Sequence, residues 1–325
     1  MAINYGVFTI SLDFEMYWGV RDKRDIYDYA VNLEGIRPAI AGMLDIFTEF
    51  KIHATWATVG FLFFRNSEHL SANLPKAIPT YTDINLSPYE YIKNKKLDER
   101  YHFAPDLIQK IISTSGQEVA SHTFSHYYCL EDGQTIDQFE SDLALALDTA
   151  SALGYKLSSL VFPRNQWNSE YLSVLNKYNI KSFRGNELNW MNSASGQEGQ
   201  SYFKRAARLL DSYINISGFN THDISTCLKN KPFNFPSSRF LRPYNKKLSF
   251  FDCLKLRRIK KAMTHAAKNN ELFHLWWHPH NFGAETSKNL DMLREILDHY
   301  QYLNKNFGMR SLNMEELSFL GKVYD

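Results

Sequence analysis

The sequence predicts a (β/α) barrel, on three observations. Short apolar, β-branched runs alternate with longer segments of helical spacing, about six or seven times along the chain. The unusual polar residues stand at the C-terminal ends of those runs, the face on which barrel enzymes carry their chemistry. At 325 residues and 44 % hydrophobic content the chain can bury a large core, and α/β barrels commonly use this length for one domain. No linker composition interrupts the pattern. Residues 1–325 therefore read as a single barrel domain with surface insertions near 71–100 and 190–250.

The first strand is Phe8-Thr9-Ile10-Ser11-Leu12-Asp13-Phe14-Glu15, continuing into Met16-Tyr17-Trp18-Gly19. Alternation along a strand puts Asp13 and Glu15 on one side and Phe14 on the other. Two carboxylates on one face are costly unless a cation or a proton relieves them. On this stretch alone, a solvated pair at a strand end is an equal reading. Residues 32–51 place Leu33, Ile36, Ile40, Leu44 and Phe47 at helical spacing, and residues 53–60 read as a second buried strand. Pro75, Pro79 and Pro88 among polar residues predict a long surface excursion over 71–100. A helix over 106–115 ends at Gly116, and strand Glu118–Ser121 delivers His122 and His126 at its exit. Two imidazoles four apart can reach one ion together with a carboxylate. That ligand set belongs to hydrolytic zinc-type sites and decides for a metal centre.

Thr135 to Gln138 opens an amphipathic helix with Phe139, Leu143, Leu147 and Leu153 on one stripe and Gly154 at its end. Strand four, 159–162, runs into Pro163-Arg164-Asn165-Gln166-Trp167. A short helix over 169–178 and a fifth strand over 180–185 follow. Residues 191–201 read as a surface loop and 203–213 as a basic helix, in which Lys204, Arg205 and Arg208 form a solvated face. After loops with His222-Asp223 and Ser238-Arg239-Phe240-Leu241-Arg242-Pro243 comes a helix over 251–268. The last polar strand exit is Phe273 to His280. A helix, a short strand near 309–312 and a terminal helix close the chain.

Net charge is +2 with pI near 8.2, which gives no basic field for nucleic acid as the main partner. Cys129, Cys227 and Cys253 lack metal or redox spacing and read as reduced thiols, Cys129 as a packed one despite lying three residues past His126. No segment has the apolar length of a membrane span, and no apolar leader is visible at the N-terminus, so the expected location is cytoplasmic.

The order of these motifs resembles the NodB-type polysaccharide deacetylases, family 4 carbohydrate esterases with a distorted (β/α)7 barrel. The resemblance runs from Phe8 to about His280, and His122-Thr123-Phe124-Ser125-His126 is its most specific part. It implies that Asp13 is the general base, that Glu15, His122 and His126 hold Zn²⁺ or a similar divalent ion, that His278 is the general acid, and that Arg164 orients the base. The family's adjacent Asp pair is here an Asp-x-Glu, as in a subgroup that also shows an ending like His278-Pro279-His280. Pro163 precedes Arg164 where the family has Arg-x-Pro. Asn186 and Asn189 stand where the fourth motif supplies Asp. The implied function is metal-dependent removal of an acetyl or formyl group from an amino sugar, a nucleotide- or lipid-phosphate-linked precursor in surface polysaccharide biosynthesis. Contact with a membrane surface is expected if the carrier is a lipid. A non-catalytic carbohydrate-binding protein on the same scaffold and a metal-dependent phosphodiesterase barrel are the alternatives.

For the substrate, Trp18 and Trp167 follow their motifs into loops and are the preferred sugar-stacking pair. Arg239 and Arg242, three apart in a loop over the barrel mouth, suit phosphate as guanidinium forks. An equal reading is that they tie the loop down by ion pairs. His222 is a candidate to line the site.

Overall fold

The computed structural model describes residues 3–196 and 201–323. Its strands are β1 (Val7–Phe14), β2 (Ala54–Thr58), β3 (Gln117–Ser121), β4 (Ser159–Val161), β5 (Ser182–Arg184), β6 (His222–Asp223), β7 (Phe233–Asn234), β8 (Arg239–Phe240), β9 (Glu271–Trp277) and β10 (Arg310–Ser311). The helices before the fifth strand are α1 (Ala30–Glu34), α2 (Ile36–Phe50), α3 (Ser67–Ser71), α4 (Pro88–Asn94), α5 (Glu99–His102), α6 (Pro105–Ser113), α7 (Ile136–Ala152) and α8 (Leu172–Lys177). Then come α9 (Tyr202–Asp211), α10 (Ile224–Cys227), α11 (Asp252–Asn269), α12 (Thr286–Phe307) and α13 (Met314–Phe319).

The sheet runs β6-β9-β1-β2-β3-β4-β5-β7, with β8 on β9 and β10 on β1. Every pairing is parallel except that of β6 with β9. One extended segment, 233–241, completes the circuit by changing partner half-way. Phe235 N donates to Phe183 O and Ser237 N to Gly185 O, whereas Ser238 N donates to His274 O and Leu241 N to Trp276 O. Taking that segment as one staggered strand gives seven parallel positions, which is the distorted (β/α)7 barrel.

Local chemistry explains the helices. All eight residues of β1 are buried, with Phe8, Ile10, Leu12 and Phe14 alternating with Thr9, Ser11 and Asp13, because helices cover one face and the barrel interior the other. The buried stripe of α2 is Ile36, Ile40, Met43, Leu44 and Phe47, and Lys51 ends it in the left-handed region. A capping box of Thr135 and Gln138 opens α7 as expected. Its stripe stops short of Leu153, which is half exposed. Residues 71–100 are more than a surface excursion. They contain α4 on a Ser87 cap and bury Tyr81, Leu86 and Tyr89 against the His motif and first-strand loops. Tyrosines let a polar, proline-bearing segment pack on a core while keeping a hydroxyl to bond. Of the loop expected over 191–201, residues 197–200 lie outside the described residues.

Candidate active site

Asp13 is the penultimate residue of β1 and Glu15 the first past its end, both buried. Met16 then turns the chain with φ 48°. A Cβ at Gly19 would collide with the Glu15 carboxylate, so glycine lets the loop close over that group.

His122 leaves β3 with its N–H on Thr58 O. Its Nδ1 is 2.8 Å from Val161 O of β4, so Nδ1 carries the hydrogen and the lone pair sits on Nε2. That Nε2 is buried, has no hydrogen-bond partner among the described residues, and lies 3.4 Å from Glu15 Oε2. His126 Nε2 is 2.9 Å from the same oxygen, and its Nδ1 is 3.2 Å from the Tyr128 hydroxyl. One ligand atom from each of Glu15, His122 and His126 lies within 4.8 Å of the others. An orphaned imidazole nitrogen, a second imidazole and a carboxylate oxygen converging in a buried place fit a divalent ion.

The loop between the histidines adopts left-handed backbone at Thr123 (φ 61°) and His126 (φ 60°), which costs of order 1–3 kcal/mol each for non-glycine residues. Asp142 of α7 holds it there. Its buried carboxylate accepts from Phe124 N at 2.7 Å, from Ser125 N at 3.2 Å and from the Ser125 hydroxyl. Asp142 therefore positions both imidazoles, and its place mid-helix gave no hint of this in the sequence.

Asp13 is clamped by Arg184, the last residue of β5, with Nη1–Oδ1 at 2.6 Å and Nη2–Oδ2 at 2.8 Å. The same guanidinium donates to the Ser11 hydroxyl and to Asn165 Oδ1, and its carbon sits 4.2 Å above the Trp276 ring. Arg164, expected beside the base, pairs instead with Asp22 and lies 4.2 Å over the Tyr128 ring. Arg164 has a positive φ of 55° in the turn after β4, which aims it at the first-strand loop rather than at the barrel axis. Only the rule that polar residues mark strand exits pointed to Arg184.

Burial pushes both acids up. Arg184, followed by His122 and His278, overrides this at Asp13 and holds it below its ordinary value. His278, His122 and His126 hold Glu15 well below the usual range. Burial takes His126 down to about 4 against the pull of Glu15, which leaves a neutral ring suited to ligation.

His278 follows β9, with Nε2 3.8 Å from Asp13 Oδ2 and 3.6 Å from Glu15 Oε1. It is partly exposed, whereas His280 is buried with Nδ1 3.9 Å from Glu15 Oε1. Asn281 Nδ2 lies 3.3 Å from His278 Nδ1, and the Tyr29 hydroxyl donates to Asn281 Oδ1 at 3.3 Å. Asn281 is the neighbour that orients His278, a role that the fourth-motif asparagines do not take.

Beside His278 opens a cavity of about 630 Å³, a size typical of small-molecule sites. Trp276, Phe240 and His278 line it on the barrel side, and Arg164, Arg205, Arg208, Arg239 and Arg242 line the walls. Neither expected stacking tryptophan is there. Trp18 is fully buried, packs on Phe61 and His102, and donates Nε1–H to His102 O at 2.8 Å. Trp167 rests on Phe183 outside the cavity. Trp276 occupies the position expected of them, and its Nε1–H has no partner among the described residues.

The two loop arginines divide. Arg239 is buried on Asp211, which also takes Arg258, so it ties the loop down. Arg242 donates Nε–H to Ser212 Oγ at 2.6 Å and has no carboxylate partner among the described residues. His222 is buried with Nε2 3.3 Å from Ser237 O, away from the site, and Cys129 packs in an apolar cluster rather than joining the ligands.

The polysaccharide deacetylase family model matches residues 28–183, a span that holds His122 and His126. Among solved structures, the chain is similar to one assigned as a polysaccharide deacetylase from Mycobacterium smegmatis, at 11 % identity over 98 % of this chain and 91 % of that one, TM-score 0.60. It is similar to 4-alpha-glucanotransferase from Thermococcus litoralis at 12 % identity over 98 % of this chain and 40 % of that one, TM-score 0.51. It is also similar to a carbohydrate esterase pseudoenzyme from Bacillus anthracis at 12 % identity over 97 % and 66 %, TM-score 0.45. No curated protein matches it in sequence.

Proposed function

We propose that the chain is a member of the polysaccharide deacetylase family, whose model matches residues 28–183, and that it is a metal-dependent hydrolase removing an acetyl or formyl group from an amino sugar carried on phosphate. Glu15, His122 and His126 would hold the ion, and their two-nitrogen, one-oxygen donor set favours Zn²⁺. When bound, such an ion supplies Lewis-acid activation of water and of the acyl carbonyl.

The chain's own residues supply the proton transfers. Asp13 accepts a proton from the attacking water, and the Arg184 fork fixes both its oxygens while keeping it ionised. His278, held by Asn281 and open to the cavity, protonates the amine nitrogen as the C–N bond breaks. The products are the free amino sugar and acetate or formate. Five arginines line the cavity, Arg164 and Arg239 being paired with Asp22 and Asp211, and their surplus of positive charge supports an anionic substrate, which a nucleotide- or lipid-phosphate-linked precursor of a surface polysaccharide would be.

The observation that carries this reading is the orphaned Nε2 of His122 facing Glu15 beside an arginine-clamped Asp13. The test compares two variants by metal analysis and by acid release from N-acyl sugars. His126→Ala should lose stoichiometric metal and activity while staying folded. Asp13→Asn should keep metal and lose turnover by roughly 10²–10⁴-fold. Full metal occupancy in His126→Ala, or an emptied site in Asp13→Asn, would require the ligand and base roles to be reassigned.

A further inference from the structure

The helix α9 is built inside out. Its inward positions are Arg208 and Asp211, which with the following Ser212 line the cavity. Its outward positions are Tyr202, Phe203, Leu209 and Leu210, and Tyr202 is 86 % and Phe203 73 % exposed. An ordinary surface helix places its apolar side chains on the core and its charges in water. Here the core-side requirement is polar, because that side is a cavity wall, yet the solvent side is apolar.

The apolar surface extends beyond the helix at both ends. Trp190, itself 54 % exposed, stacks on Phe203 with centroids 5.8 Å apart. At the other end, Tyr213 packs on Phe251 at 6.0 Å, and Phe251 on Phe250, which is 86 % exposed. Ile214 and Ile216 stand exposed beside them. A continuous apolar patch of this kind on one rim marks an interaction surface.

Its charges say what it meets. Arg205, Lys246 and Lys247 are exposed within the patch. The acids of the described residues in these segments are turned away: Glu187 and Asp211 are buried, and Asp252 holds Lys255 at 2.8 Å. A second copy of the chain would bring these cations against one another. Aromatic and leucine side chains ringed by Lys and Arg, without an exposed acid among the described residues of these segments, match the headgroup region of an anionic bilayer.

We propose that α9 and the 246–251 turn dock this protein on the surface of an anionic membrane, with the cavity mouth held at the headgroup level. The proposal goes beyond deacylation and selects between the two phosphate carriers. A lipid-linked sugar would keep its tail in the bilayer and present phosphate to the cavity wall that α9 itself supplies. The inward Arg208 and outward Phe203 then serve one encounter from opposite sides of the same helix.

Flotation of the whole protein with vesicles tests this without any need for activity, so its failure is separate from failure of the hydrolase reading. The protein should float with phosphatidylcholine vesicles containing phosphatidylglycerol, and several-fold less with phosphatidylcholine alone. The triple variant Phe203→Ser, Leu210→Ser, Phe250→Ser should lower partitioning about tenfold or more. Lys246→Gln with Lys247→Gln should lower it several-fold, on the anionic vesicles only. These side chains are exposed, and an unchanged circular dichroism spectrum confirms folding. No flotation of the wild type on either vesicle overturns the proposal. So does a concentration-dependent dimer, seen by sedimentation, that the triple variant abolishes while vesicle binding is unchanged, which would assign the face to self-association.

Discussion

Replacing Arg184 by Met removes one partner of a pair whose side chains are 0 % and 3 % exposed. Breaking a buried pair on one side costs about 3–5 kcal/mol, because the remaining charge stays buried without compensation. At about 2.1 cal/mol/K of unfolding entropy per residue, a chain of 325 residues melts ~4–7 °C lower for that loss. Asp13→Asn strands the guanidinium in the same way. The double variant buries neither charge alone, so it should be more stable than the sum of the singles predicts, by roughly 1–3 kcal/mol. Urea unfolding of chelator-treated protein measures the cycle without a contribution from ion binding. Turnover separates positioning from structure: Arg184→Met should lower kcat by ~10²-fold with KM little changed, and Arg184→Lys should recover part of it. Strict additivity of the two singles, or full kcat in Arg184→Met at a temperature where it is folded, would refute the assignment of Arg184 as the residue that positions the base.

Three further outcomes follow from the geometry. Trp18→Ala should lower stability by about 3–5 kcal/mol, as for a large core side chain, while leaving KM unchanged for the folded fraction; a raised KM would return Trp18 to the substrate. Arg242→Ala should raise KM for a phosphate-linked sugar and hardly affect the free N-acyl sugar, whereas Arg239→Ala should lower the melting temperature and affect both substrates alike. Burial pushes Glu118 up to about 7 from an unfolded value near 4.5, so its stabilising neutral form is complete below about 4.5 and lost as pH climbs through 7. Glu118→Gln stays neutral, and its melting temperature relative to wild type should rise between pH 4.5 and 7 by the equivalent of up to about 3 kcal/mol. A difference that is flat with pH would mean that burial does not raise Glu118 above its unfolded value.

Where a residue's chemistry and its strand period pointed the same way, the sequence was enough. The two-fold alternation that pairs Asp13 with Glu15 and the four-residue spacing of His122 and His126 survive in the structure because β1 and β3 are buried and cannot slip register. The misreadings share a cause. An arginine after a strand looks alike whether it points along the barrel axis or across to a neighbouring loop, and left-handed backbone at Arg164 sent it across while regular β5 aimed Arg184 inward. An aromatic residue in a loop has the same signature whether it stacks on a ligand or fills a gap, and Trp18 fills one. The short pieces β6, β7 and β8 have two residues each, too few for a period to register. The basic stretch 203–213 showed its charge but not that Arg208 would line a cavity while Arg205 stayed exposed.

The pairing of β1 has a consequence for how the chain is made. One of its edges is satisfied by β2, which begins at Ala54, and the other by β9, in register from Val7 opposite Leu272. An eight-residue strand with Phe8, Ile10, Leu12 and Phe14 on one face is made before both of these neighbours and keeps one bare edge until the chain has grown by some two hundred and sixty residues. At a few residues per second to about twenty, that exposure lasts from roughly a quarter of a minute to the better part of one. Arg184, the clamp on Asp13, is made within that window, and His278 only as β9 closes it. A ribosome-bound intermediate of this protein is therefore an open trough whose rim, the bare edge of β1, can pair with other chains until β9 closes it.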